Sequence, residues 1–131
     1  HHIEGFEMLI EAGEYKLQKE LEQLNIEIHP LLFDVLITNI LKNAVVHNLP
    51  KGEIKIELSD KKLKVFNTGK PLTIDPNLIF KRFVKNSENK NSSGLGLELV
   101  KKICDYYNLT IAYAYINNFH CFEINLAKIA I

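Results

Sequence analysis

The chain has 131 residues, of which 47% are hydrophobic and 24% charged, so its composition predicts one folded globular domain and excludes a disordered or fibrous protein. Its 16 basic residues equal its 16 acidic residues, so we expect no attraction of the whole molecule to nucleic acid, and any phosphate must be bound locally. No apolar run approaches the roughly 20 residues that span a bilayer, so we expect a piece that is not membrane-inserted. The two cysteines are isolated, which favours the reducing cytoplasm.

The N-terminal residues differ in character from the rest. Residues 1–5 are typical of the remnant of a histidine tag and protease site. Residues 6–22 are charged, with leucines at helical spacing, and predict a helical lead-in or linker. Residues 23–131 are predicted to form the domain itself. Its first element, at 25–29, alternates as a half-buried strand does and ends before Pro30.

A helix and a hairpin follow. Apolar residues in 31–48 recur close to the 3.6-residue period of a helix packed on a sheet. Residues 53–58 and 62–66 alternate strictly and are separated by a polar turn, which predicts an antiparallel hairpin. The proline- and glycine-bearing stretch 67–77 predicts a loop, and 78–83 a short helical turn.

The last third of the chain begins with a polar stretch. Residues 85–93 contain no large apolar side chain and predict a mobile lid. Helical periodicity resumes over 94–107, and 109–116 and 119–126 predict two strands joined by a two-residue turn. This order of elements predicts an α+β two-layer sandwich, with a mixed sheet and helices on one face.

Polar residues interrupt the helix predicted over 31–48. Asn39, Asn43 and His47 are spaced by one helical turn and therefore share a stripe. An asparagine oxygen is a hard neutral ligand that suits Mg²⁺, although a solvent-facing polar stripe would have the same spacing.

Two glycine-bearing turns are further candidates. In Ser93-Gly94-Leu95-Gly96-Leu97 a polar loop enters a helix, which is typical of a phosphate site but also of turn geometry alone. In Asn67-Thr68-Gly69-Lys70-Pro71-Leu72 a strand ends in a turn, where the Asn67 amide can contact a base edge or simply close an Asx turn.

In order and spacing, Asn39–Asn48, Asn67–Leu72, Ile79–Phe83 and Gly94–Ile103 resemble the N, G1, F and G2 boxes of the GHKL ATPases. The chain is most similar to the ATP-binding catalytic domain of a bacterial sensor histidine kinase. The resemblance implies the Bergerat ATP-binding fold, ATP and Mg²⁺ as ligands, and transfer of the γ-phosphoryl group to a histidine on a separate dimerisation domain. A response regulator downstream in a two-component system is the further partner that it implies.

The resemblance also implies roles for single residues. Asn43 matches the Mg²⁺-chelating asparagine, Asn39 the residue that orients metal-bound water, and Asn67 the acceptor for the adenine amino group. The F-box aromatics pack the lid, nearby cations approach the phosphates, and the G2 glycines cap the triphosphate. The site residues implied are Asn39, Asn43, His47, Asn67, Gly69, Leu72, Phe80, Arg82, Phe83, Lys85, Ser93, Gly94, Leu95, Gly96 and Leu97.

The sequence departs from the family pattern at three positions. Asn67 replaces an aspartate, so the hydrogen bond to adenine is neutral and the Asn67 NH₂ group must point away. Pro71 replaces a glycine, and Val46 a lysine that contacts phosphate, so Lys42, Lys70 or Lys85 would have to substitute. These departures leave an alternative open, a degenerate nucleotide-binding or docking module without phosphotransfer. An ATP-hydrolysing relative of topoisomerase or chaperone type is disfavoured, because Asn39 cannot deprotonate water.

Overall fold

A computed structural model describes residues 10–73, 75–80 and 96–131. These residues form a five-stranded sheet, in which one pair of strands is parallel and the other pairs are antiparallel. The sheet order is β1-β2-β3-β5-β4. The elements are β1 (Lys16–Leu21), α1 (Pro30–Val46), β2 (Glu53–Ser59), β3 (Lys62–Thr68), α2 (Gly96–Tyr106), β4 (Thr110–Ile116) and β5 (Phe119–Asn125). The predicted α+β fold with a mixed sheet is confirmed.

The core lies between the two helices and one face of the sheet. Because strand side chains alternate between faces, β2, β3 and β5 each direct every second residue towards the helices. The helices contribute their apolar stripes to the same layer, which includes Leu36 and Ile40 of α1 and Val100 of α2. The helices therefore cover the inner face of the sheet, as predicted.

Both predicted hairpins are confirmed, and each has a two-residue turn. Asp60 and Lys61 connect β2 to β3 with φ of 51° and 60°, and Asn117 and Asn118 connect β4 to β5 with φ of 53° and 70°. Two successive positive φ values define the type I′ turn, whose twist matches that of the flanking strands. The turns fix the register of both hairpins.

The helical lead-in predicted over 6–22 is wrong for residues 16–21, which form β1. This strand runs parallel to β2, with Lys16 opposite Glu53 and Leu21 opposite Leu58. Helix-forming Lys, Leu, Gln and Glu dominate the segment, but intrinsic propensity is weak and pairing with β2 overrides it. In the described part of the lead-in, only residues 10–12 are helical.

Two smaller expectations are also corrected. The strand predicted at 25–29 is reduced to one bridge, in which Ile26 pairs with Ala130 and ties the segment to the C-terminal residues. The helical turn predicted over 78–83 appears earlier, as a 3-10 helix at Pro76–Leu78 that Asp75 caps. Its last residues and the predicted lid at 85–93 lie outside the described residues.

The two cysteines are free thiols. Cys104 is buried and Cys121 half-buried, and burial raises the pKa of each thiol to about 11. Both thiols are therefore protonated at neutral pH, as expected of reduced core cysteines. Among the described residues, no helix is long and apolar enough to cross a membrane.

Candidate functional site

The polar stripe of α1 faces the beginning of the described part of α2. Asn39 is half-buried and donates from Nδ2 to the carbonyl oxygen of Val35, at 2.7 Å. Its Oδ1 lies beside Gly96, where a Cβ atom would come within 2.9 Å of it. The structure thus brings together a residue of the first polar motif and a glycine of the last, which are far apart in sequence.

Asn43 differs from its neighbour one turn away. Its side chain is half-buried and makes no hydrogen bond to any residue that the structure describes. Among the described residues no fully buried side-chain nitrogen or oxygen lacks a partner, so the Asn43 amide is not an unpaired buried group. Its oxygen is thus available to a ligand, and a neutral carboxamide oxygen is a donor that Mg²⁺ accepts.

His47 lies at the C-terminal cap of α1, where its backbone N–H donates to the Asn43 carbonyl oxygen at 3.1 Å. Burial lowers the pKa of its imidazole, and the nearby His120 lowers it further. The ring is therefore neutral at pH 7. The His47 carbonyl oxygen would be 3.0 Å from a Cβ atom at Gly69, so the end of α1 lies against the turn that follows β3.

Asn67 occupies the last inward position of β3 and is only 1% exposed. Its Nδ2 donates to the Thr68 carbonyl oxygen at 3.0 Å. Because that carbonyl can only accept, the amide must present its NH₂ group to it, and Oδ1 remains as an acceptor. The orientation of the Asn67 amide is thus fixed by the chain itself.

A buried histidine lies beneath the turn that follows Asn67. A Cβ atom at Gly69 would be 2.5 Å from Cδ2 and 2.7 Å from Nε2 of His120. Nδ1 of His120 is 2.5 Å from the hydroxyl of Tyr113. The hydroxyl of Tyr115 donates to the Gly69 carbonyl oxygen at 2.8 Å, and the Gly69 N–H donates to the carbonyl oxygen of Asn118 at 3.1 Å. The β4–β5 hairpin therefore supports this turn from below.

His120, Tyr113 and Tyr115 lie at the site although no sequence motif includes them. A signal was present in the alternation of the strands, since 63, 65 and 67 share one face of β3, and 120, 122 and 124 one face of β5. Asn67 and His120 are the polar exceptions on those buried faces, and the register pairs them directly. The register itself, which places them side by side, was not predictable from either strand alone.

Asn48 connects the end of α1 to the strands. It donates from Nδ2 to the Glu53 carbonyl oxygen at 3.0 Å, and its Oδ1 accepts from the Thr68 hydroxyl at 2.5 Å and from the Leu49 N–H at 2.8 Å. Thr68 Oγ1 also accepts from the Glu53 N–H at 2.9 Å. This cluster holds α1, β2 and β3 together beside the candidate site.

Three predicted site residues pack against the core. Leu72, Phe80 and Leu97 are half-buried hydrophobic residues in contact with it, and the Phe80 ring meets Phe122 edge-on, with centroids 6.1 Å apart. The remaining predicted site residues lie outside the described residues. They are Arg82, Phe83, Lys85, Ser93, Gly94 and Leu95.

Of the cations predicted to substitute for a lysine at position 46, two are described. Lys42 lies on α1 and Lys70 in the turn after Gly69, and both side chains are exposed. Val46 itself is half-buried. The described part of the site therefore offers flexible surface cations and no buried one for an anionic ligand.

Comparison with known proteins gives a consistent result. Residues 29–125 match the family of histidine kinase-, DNA gyrase B-, and HSP90-like ATPases. The chain is 30% identical over 105 residues to the heme sensor protein HssS of Staphylococcus aureus. The matched region covers 76% of this chain and 23% of that protein. The chain thus spans less than a quarter of the length of this relative.

Solved structures show the same fold. The mycobacterial sensor histidine kinase MprB superposes with a TM-score of 0.81 at 18% identity, covering 94% of this chain and 90% of that one. The catalytic domain of histidine kinase ThkA, in a nucleotide-free form, superposes with a TM-score of 0.74 at 26% identity, covering 94% of this chain and 86% of that one.

Proposed function

Because the chain belongs to the family of histidine kinase-, DNA gyrase B-, and HSP90-like ATPases, we propose that it is the catalytic domain of a sensor histidine kinase. In this proposal it binds Mg²⁺-ATP and donates the γ-phosphoryl group to a histidine on a separate domain. One observation carries it. The end of α1, which bears Asn43, meets the turn after Asn67, because the His47 carbonyl oxygen and Gly69 are in contact.

The orientation of Asn67 supports adenine as the base. An aspartate would accept a hydrogen bond from the adenine amino group through either oxygen, whereas an asparagine accepts only through Oδ1. The donation from Nδ2 to Thr68 leaves Oδ1 for this purpose. The replacement of aspartate by asparagine is thus compatible with adenine binding, at the cost of a charge-assisted hydrogen bond.

The α1 stripe supports Mg²⁺ as the cofactor. Asn43 supplies a hard neutral oxygen with no partner among the described residues, which suits an ion that takes one or two protein oxygens and completes its shell with water and phosphate. Asn39 uses its NH₂ group on Val35, so its Oδ1 is left to accept a hydrogen bond from water in the same site. When bound, Mg²⁺ neutralises charge on the phosphates.

Phosphoryl transfer needs positioning and charge neutralisation more than covalent chemistry from the protein. A nitrogen of the acceptor histidine forms a bond to the γ-phosphorus, the bond from that phosphorus to the β–γ bridging oxygen breaks, and ADP leaves. The chain's part is to hold the nucleotide at Asn67 and Asn43 while the acceptor approaches. The acceptor domain, a response regulator downstream and a cytoplasmic location belong to the same proposal.

The test is a calorimetric titration of ATP with and without Mg²⁺, followed by incubation with ATP and a histidine-bearing helical domain of the same kinase. We expect Mg²⁺-dependent binding and acid-labile phosphohistidine on the helical domain. The absence of nucleotide binding at millimolar ATP would exclude the proposal.

A degenerate binding or docking module is the second candidate, and the half-buried Val46, at a position where the family's lysine contacts phosphate, favours it. Nucleotide binding without phosphohistidine would support this second function and contradict phosphotransfer. The same experiment therefore distinguishes the two functions.

A further inference from the structure

We propose that His120 is a positioning residue for the nucleobase end of the site, because it supports the Gly69–Lys70 turn from beneath and thereby holds in place the Thr68 carbonyl oxygen that orients the Asn67 amide. The inference rests on the proposed function, in which Asn67 receives the adenine ring. Nucleobase binding then also requires three residues of the β4–β5 hairpin that do not contact the nucleotide, namely His120, Tyr113 and Tyr115.

The position of His120 carries the first step. It is 5% exposed and is the direct cross-strand partner of Asn67, so the two side chains emerge side by side on the inner face of the sheet. Its ring fills the space under Gly69, where even a methyl group would overlap Cδ2 and Nε2. A smaller residue at position 120 would leave a void directly beneath the turn.

The hydrogen bonds carry the second step. Burial holds the pKa of Tyr113 at about 12 and lowers that of His120, so a neutral phenol faces a neutral imidazole across 2.5 Å. The Tyr113 hydroxyl and Nδ1 of His120 share one hydrogen bond, and Nε2 lies on the side of Gly69. The backbone of Lys70 takes part in a hydrogen bond with this ring.

His120 has no ring nitrogen directed towards the nucleotide. Both ring nitrogens face protein groups, so the residue has little capacity to bind a ligand directly. It acts instead on the turn, which Tyr115 holds independently through the Gly69 carbonyl oxygen. The rings of Tyr113 and Tyr115 flank the imidazole, with centroids 5.8 and 4.9 Å away, and restrict its movement. Because Asn67 lies two residues before Gly69, a rigid turn also limits the movement of Asn67.

The experiment compares two ligands that share the phosphates but not the base. Dissociation constants are measured with Mg²⁺ for the ATP analogue AMPPNP and for inorganic tripolyphosphate, using the whole chain. For His120→Leu and Tyr113→Phe we expect AMPPNP to bind about five- to tenfold more weakly, with tripolyphosphate unchanged. His120→Gln, whose amide can donate towards Lys70, should recover part of the loss.

Tyr107→Phe is the matched control. Its hydroxyl accepts a hydrogen bond from the His29 N–H at 3.0 Å, so the variant loses one tyrosine hydrogen bond that lies away from the turn. Because this hydrogen bond lies away from the turn, its loss should leave the ratio of the two dissociation constants at the wild-type value. Tyr113→Phe removes one oxygen atom only and therefore still tests the proposal if His120→Leu fails to fold.

A double-mutant cycle tests the contact with Gly69 directly. Gly69→Ala should weaken AMPPNP binding, and the same change in a His120→Ala background should cost clearly less, because the overlapping ring is gone. Equal weakening of both ligands in the His120 and Tyr113 variants, or a ratio that none of them changes, would overturn the inference. If wild-type protein binds neither ligand, the proposed function fails instead, and that result appears before any variant is made.

Discussion

The two ends of the candidate site are built differently. At the nucleobase end, Asn67, the Gly69 backbone and His120 are all tied to the protein by hydrogen bonds, and the acceptor is set before any ligand arrives. At the phosphate end, Asn43 has no hydrogen-bond partner among the described residues and Lys42 is exposed. In the proposed function, specificity for the base would come from rigid protein structure, whereas the phosphate end would be completed by the ligand and its metal.

The largest expected effect is at the phosphate end. Asn43→Ala should weaken Mg²⁺-dependent ATP binding at least about 100-fold, because it removes the proposed metal ligand. Since the side chain has no partner to lose among the described residues, the midpoint of thermal unfolding without ligand should stay the same. Calorimetric titration and a thermal melt check both parts. A large fall in the midpoint would show that Asn43 has a structural role.

The same substitution five residues later should have the opposite profile. Asn48→Ala breaks hydrogen bonds to Glu53, Thr68 and Leu49, and we expect a loss of about 1–3 kcal/mol in the free energy of unfolding. Affinity for Mg²⁺-ATP should fall by no more than a few fold. Urea denaturation measures the stability, and Asn43→Ala serves as the matched control. Equal effects of the two variants on stability would contradict the view that Asn48 supports the fold while Asn43 is left for a ligand.

Gly96→Ala probes the contact between α1 and α2. The added methyl group would lie 2.9 Å from Asn39 Oδ1, so the Asn39 amide must shift, and we expect Mg²⁺-ATP to bind about tenfold more weakly. Stability should not fall, because alanine favours the helix over glycine. Gly52→Ala is the control, since its methyl group would meet Asn48 and Thr68 and should reduce stability instead. If Gly96→Ala binds Mg²⁺-ATP as tightly as the wild-type protein, the position of the Asn39 amide is not required for nucleotide binding.

The smallest expected effect concerns pH. The pKa values of His47 and His120 are lowered in the folded protein, chiefly by burial, so the unfolded chain binds more protons below about pH 6.5. The free energy of unfolding should therefore fall as the pH drops from 7 towards 5, and the loss should stop below the folded pKa values. Urea denaturation at pH 7.5 and 5.5 measures this slope. His47→Gln and His120→Gln should each flatten it, and an unchanged slope in both variants would contradict the assignment.

Periodicity was sufficient to predict the two helices, both hairpins and the fold class, because those elements bury one face and expose the other. It was not sufficient for β1, whose helix-forming composition is overridden by pairing with β2. For the site, the spacing of Asn39 and Asn43 predicted a shared stripe, but it could not predict that the Asn39 amide bonds back to Val35 while Asn43 has no such bond. The support of Gly69 by His120 depends on the β3–β5 register, which no single segment encodes.

The orientation of the Asn67 amide is the central claim for the site, and a comparison of two nucleotides tests it most directly. Inosine triphosphate shares the ribose and the triphosphate with ATP, but an oxo group replaces the amino group that Asn67 Oδ1 is proposed to accept from, and N1 carries a proton. Calorimetric titration with Mg²⁺ should give a dissociation constant at least about tenfold larger for inosine triphosphate than for ATP. Equal dissociation constants would show that Asn67 does not accept a hydrogen bond from the base, and would contradict the account given for the nucleobase end.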